Sequence, residues 1–260
     1  MFDRIRRILV TWLMCLPLAH AAVADAASPP AGSPPALAPS GRIVFDVIYG
    51  SSGFRIGEAR HEWQYDGDRY RLSLKLDAGG LLALAGFSYM QRSEGRIGPA
   101  GLEPARFSVD QRGRKPEAAE FDWAAARVSL RRDGVERRSA ELHPGDQDVL
   151  SLWHQLRRVG ATGEAMRMTV VTNKSAKPAE LTRIGGGSLK LPLGRLDTVQ
   201  LQVRALDGSM TIDVWLAPEH QLLPVRIRIV DDDGGVLDQQ AVKLELGADA
   251  VAAGGDLRKG

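Results

Sequence analysis

Cysteine is almost missing from this 260-residue chain: the single Cys15 lies in an apolar run near the N-terminus. One thiol excludes internal disulfides and thiolate metal clusters, so a folded domain must rest on its core alone. Beyond residue 24 no stretch approaches the roughly 18 consecutive apolar residues of a membrane-spanning helix. Excess charge is small as well, with 34 basic against 32 acidic residues. Leaving out residues 1–24 removes Arg4, Arg6, Arg7 and Asp3, so 31 of the 34 and 31 of the 32 remain. A neutral domain has no bulk electrostatic pull toward nucleic acid, although local patches stay open to it. Nucleophile elbows, phosphate loops and dinucleotide fingerprints are all absent. Gly50-Ser51-Ser52-Gly53 lacks the elbow spacing, and Gly185-Gly186-Gly187 has no Lys-Ser/Thr continuation and reads as a hairpin loop. These absences leave no catalytic residues, metal or cofactor to assign, and the expectation is a protein that is not an enzyme.

What is present begins with an address. Arg4, Arg6 and Arg7 precede the apolar run Ile8–Leu18, and Ala19-His20-Ala21 and Ala22-Val23-Ala24 offer cleavage sites, the pattern of a secretory signal peptide over 1–24. Met14 stands where lipidation of Cys15 would need a small residue, so a cleaved, periplasmic protein is expected. Residues 25–41 are rich in Pro, Ala and Ser and read as a disordered linker, residues 42–246 as one β-rich domain, and 247–260 as a flexible tail.

Within the domain the dominant period is two. Tyr70, Leu72, Leu74 and Leu76 alternate with polar residues, as do Val199, Leu201, Val203 and Ala205, then Met210, Ile212, Val214 and Leu216, then Val225, Ile227 and Ile229. Such alternation marks antiparallel strands with one face on a core and the other in water. Asp66-Gly67, Asp133-Gly134, Asp207-Gly208 and Asp233-Gly234 supply the positive φ angles of tight hairpins. The fold expected is a mainly β hairpin meander of about 10–12 strands, a single strongly curved antiparallel sheet or half-barrel around one or two short helices. One helix of about 13 residues is expected after an Asp146 cap, from Val149, Leu152, Trp153, Leu156 and Val159 at helical spacing, with Arg157 and Arg158 near its C-terminus. Gly79–Gly86 reads as a second short apolar helix or flap.

Five residues stand out as ligand-binding candidates. His61 shares a strand face with Ala59, Trp63 and Tyr65, where a histidine serves as a base, a ligand contact or, more commonly, a core residue held by one hydrogen bond. Trp63, Tyr89, Trp153 and Trp215, with Trp123, are able to line an apolar pocket or simply pack the core. Trp215 falls on the polar phase of its strand, which marks it as an exposed aromatic or one covered by another element. His143, Asp146, Asp148 and His154 cluster within 12 residues, but a cap and a turn account for them without a metal.

A resemblance follows from Ser93-Glu94-Gly95-Arg96-Ile97, Gly101-Leu102-x-Pro104-x-x-Phe107, Phe121-Asp122-Trp123 and Gln147-Asp148-x-x-Ser151-Leu152. With Trp215-Leu216-Ala217-Pro218 and Leu223-Pro224-Val225-Arg226, these runs resemble the bacterial domain-of-unknown-function family numbered 3108, over about residues 42–246. The resemblance implies an exported envelope protein and supplies no activity. At the level of fold the pattern is also similar to the periplasmic lipoprotein carriers of the localisation (Lol) system, which curve a sheet over helices that lid an apolar cavity. Two readings follow. One is a carrier that binds an apolar ligand, a lipid, a lipoprotein or its acyl chain, in the concavity of the curved sheet; a packed concavity would count against it. The other is an envelope scaffold that binds a partner protein through a sheet edge or an exposed aromatic.

Overall fold

The alternating segments form strands in the computed structural model, which describes residues 37–50, 53–79, 87–231 and 233–247. Eight come first: β1 (Ser40–Tyr49), β2 (Phe54–Asp66), β3 (Arg69–Ala78), β4 (Ser88–Gly98), β5 (Gly101–Gln111), β6 (Glu117–Asp122), β7 (Arg127–Arg132) and β8 (Val135–Glu141). A two-residue β9 (Gln147–Asp148) and the helix α1 (Leu152–Thr162) interrupt the meander. It resumes with β10 (Met166–Val171), β11 (Ala176–Leu191), β12 (Gly194–Ala205), β13 (Met210–Ala217), β14 (Leu223–Asp231) and β15 (Val236–Leu246). All fifteen belong to one sheet of order β8-β7-β6-β5-β4-β3-β2-β1-β15-β14-β13-β12-β11-β10-β9, antiparallel except where β9 joins β10. The count exceeds the expected 10–12, in part because β8 and β9 carry no alternation: β8 is almost wholly exposed and β9 is too short for a pattern.

The sheet curls far enough for its last strand to return to its middle. Ser93 on β4 donates from Oγ to Asp148 Oδ2 on β9 at 2.5 Å, and Gln147 Nε2 on β9 donates to the Leu102 carbonyl on β5 at 2.7 Å. Beyond β10, the Asn173 amide donates to Glu117 on β6. Side chains, not a backbone ladder, therefore hold β9 and the chain after β10 against β4, β5 and β6, and β7 and β8 lie beyond this seam in the strand order. All four Asp-Gly pairs fall at turns between consecutive strands, Asp66 closing β2; at Asp133-Gly134 both residues have positive φ, 56° and 73°. The three glycines at 185–187 do not form a loop. They lie inside β11, where the register against β12 shifts between Arg183 and Gly185, and a Cβ on Gly186 would stand 2.5 Å from the Thr198 carbonyl oxygen.

Helix α1 starts later than expected, at Leu152, with Ser151 before it. Asp146 does not cap it, because its carboxylate accepts from the His143 amide at 2.8 Å and the Thr169 amide at 2.6 Å. Asp148 instead accepts from the amides of Leu150 and Ser151, both at 2.8 Å, and turns the chain into the helix. Gly163 ends it with φ 76° and a bond from its amide to the Val159 carbonyl. Arg157 does not lie against the helix C-terminus as expected, since its Nε reaches the Gln221 carbonyl at 2.7 Å. Leu152, Trp153, Leu156 and Val159 are buried, and so are Gln155 and Arg157. Most of the helix perimeter is thus covered, by β5, β9, β11, β12 and β14, and the concave face of the sheet is packed rather than hollow. The segment expected as a second helix or flap falls, from residue 80 to 86, outside the described residues.

Candidate functional site

Where α1 meets the rim of the sheet the packing opens into a cleft of about 690 Å³. The β2–β3 turn at Gly67, the β4–β5 turn from Ile97 to Gly101, one side of α1 and Leu37 with Pro39 enclose it. A glycine is needed at 101: its φ is 112°, and a Cβ there would lie 2.1 Å from Gln155 Oε1. That close approach lets Gln155 Nε2 donate to the Ala100 carbonyl at 2.8 Å, which pins the helix to the turn and sets the width of the cleft.

The inner wall is a ring cluster. Tyr65 Oη and His154 Nδ1 share a hydrogen bond at 2.7 Å, and both Trp63 and Tyr65 meet His154 edge to face, with centroids 5.8 and 5.9 Å away. Trp63 Nε1 donates to the Ala38 carbonyl at 2.9 Å, which anchors the stretch before β1 beside the cleft. Burial, with the neighbouring Arg157 charge, lowers the His154 pKa to about 3, and burial likewise raises the Tyr65 hydroxyl above its ordinary value. Both rings are therefore neutral at pH 7. The charge in the cleft comes from Arg157 and Arg158, and among the described residues no carboxylate lines it. A neutral aromatic wall, aliphatic rims and two guanidiniums suit an apolar body with an acidic end.

The five residues singled out from the sequence are not gathered at this cleft. His61 is buried between Phe45, at 5.0 Å edge to face, and Gln239, whose Oε1 is 3.3 Å from Nε2; burial drops its pKa to about 4. Trp63 reaches the cleft only through His154, and Trp153 lies in the core. Tyr89 is buried, accepts from Gln91 Nε2 at 2.8 Å, and has its pKa pushed up to about 12 by burial. Trp215 is on the outer face, half-buried, with the Arg226 guanidinium 4.7 Å over its ring; Asp238 holds that arginine through two bonds of 3.0 and 2.7 Å. Trp123 donates from Nε1 to the Pro104 carbonyl and stacks on Phe121.

Sequence reasoning placed Tyr65 on the right face but missed its partner, because 89 residues separate it from His154. The Asp146 carboxylate accepts from the His143 amide, while Asp148 bonds Ser93 and His154 bonds Tyr65, and among the described residues no group of three or more His, Cys, Asp or Glu is arranged to hold a metal. No helix among them is long and apolar enough to cross a membrane.

An open single sheet curled around one buried helix defines a β-barrel-like protein. In agreement, it is similar to the "Beta-barrel-like Protein of Domain of Unknown Function DUF1849 from Brucella abortus", with a TM-score of 0.52 and 11% identity over 81% of this chain and 99% of that one. A "putative lipoprotein" from Parabacteroides distasonis aligns over 81% and 96% of the two chains at 9% identity, with a TM-score of 0.30. No curated protein matches the chain. The chain belongs to the family described as "Protein of unknown function (DUF3108)", whose profile matches residues 44–240.

Proposed function

We propose that this protein is an exported, non-enzymatic envelope protein that holds an acyl chain in the rim cleft, with the acidic end of the ligand at Arg157 and Arg158. The observation that carries this reading is the lining: Leu37, Pro39, Ile97 and Leu102 offer apolar surface beside two guanidiniums, with no carboxylate in the lining among the described residues. A volume of about 690 Å³ lies within the roughly 300–1,000 Å³ of small-molecule sites. Each buried methylene would contribute about 0.8 kcal/mol, so no elaborate polar motif is required. The basic-apolar leader over 1–24 and the Pro/Ala/Ser-rich stretch after it support a periplasmic address, where an apolar cargo needs shelter from water.

Native mass spectrometry of protein purified from the periplasm tests the reading, followed by titration with palmitate. A lipid-sized mass adduct, saturable binding and weakening by Arg158→Glu or by the cleft-filling Thr162→Trp are expected. Clean apo protein that never saturates with palmitate overturns it. The second reading, an envelope scaffold, is favoured by β8, six of whose seven residues are exposed and whose outer edge pairs with no strand among the described residues. A photo-crosslinker at Val135 that captures one envelope protein, with no lipid adduct present, would select the scaffold.

A further inference from the structure

A second cavity, independent of the acyl cleft, lies at the other end of β5, roughly 30 Å away at about 3.3 Å per residue. It has a volume of about 280 Å³ and sits beside the seam, lined by residues of β5, β6, β7, β8 and the turn after β10, with Val109 and Leu130 as its apolar part. Its walls are crowded with positive charge. Lys115 is paired with Asp133, and Arg132 reaches Glu117 at 3.6 Å. Four further cations, Arg114, Arg137, Arg138 and Lys174, line it without a carboxylate within ion-pair distance among the described residues. The one acidic side chain in the lining, Glu117, is already engaged by the Asn173 amide and Arg132. These cations come from the β5–β6 turn, the edge strand β8 and the turn after β10, so only the curled sheet brings them together.

We propose that this cavity is a binding site for a compact multivalent phosphate, either the phosphorylated headgroup of an envelope lipid or a free phosphate ester or diphosphate. Unpaired cations facing one another repel, and a polyanion relieves that repulsion while accepting charge-assisted bonds from the guanidiniums. The Lys174 ammonium is held below the usual lysine range by desolvation, opposed by Glu117 and reinforced by Arg114 and Arg132. The cavity is too small for a long acyl chain and has the size of a headgroup.

The test uses the purified protein, pyrophosphate as the soluble probe, and vesicles of phosphatidylcholine with or without phosphatidic acid. Arg137 and Arg138 are exposed on an edge strand, so Arg137→Glu/Arg138→Glu is expected to fold; Arg71→Glu/Arg195→Glu is the control for bulk charge. Calorimetric affinity for pyrophosphate should fall about tenfold or more in the β8 variant and stay unchanged in the control. Binding to acidic vesicles that pyrophosphate competes away assigns a membrane headgroup, and pyrophosphate binding without vesicle binding assigns a soluble anion. Equal behaviour of both variants toward both probes overturns the site. Loss of palmitate binding with pyrophosphate binding intact would refute only the acyl cleft.

Discussion

Asp148 offers the sharpest test of how the sheet is closed. Its carboxylate has no solvent exposure, receives the Ser93 hydroxyl and the Leu150 and Ser151 amides, and burial raises its pKa to about 6. An unfolded aspartate titrates near 3.9. Between those values the native state binds more protons than the unfolded state, so this group makes stability fall as pH rises from about 4 to 6, by at most about 3 kcal/mol. Asp148→Asn removes the charge yet keeps an acceptor for both amides and a donor toward Ser93. The variant should therefore match the wild type near pH 4 and gain on it by about 1–3 kcal/mol above pH 6. Asp148→Ala should lose several kcal/mol at every pH, because three donors lose their acceptor at about 1–3 kcal/mol each. Urea unfolding of the three proteins from pH 4 to 8 reads both effects. Parallel curves for wild type and Asp148→Asn would show that the carboxylate is not desolvated at the seam, and the closure argued above would be wrong.

In the Asp148→Asn background the opposing carboxylate contribution is gone, so the rise of stability with pH that the buried histidines impose should steepen. Burial depresses the pKa values of His61 and His154, to about 4 and about 3, so stability is full above about pH 6.5 and declines as pH falls toward 4; a flat profile would mean these rings are not buried neutral. Gly101→Ala combines a φ of 112° with a clash on Gln155, and should cost about 1–3 kcal/mol by thermal unfolding, while a spare Tm would place the helix farther from the turn. Trp215→Ala should destabilise by about 1–2 kcal/mol through lost packing and lost contact with Arg226, whereas an unchanged Tm would restore Trp215 as a free surface aromatic.

The strand faces were legible because period-two alternation is a local property: Tyr70, Leu72, Leu74 and Leu76 are buried and Arg71 and Lys75 exposed, as their order implies. The Asp-Gly turns follow from local backbone preference. The chain order alone did not reveal how far the sheet would curl, since that depends on Ser93 meeting Asp148 and Gln147 meeting Leu102 across the seam. Only the folded chain decided that the helix fills the concavity, that Tyr65 and His154 wall the cleft, and that arginines from separate hairpins surround one cavity. Local sequence sets which side of a strand faces water; contacts between residues far apart in the chain set which strands and side chains meet, and no periodicity encodes those.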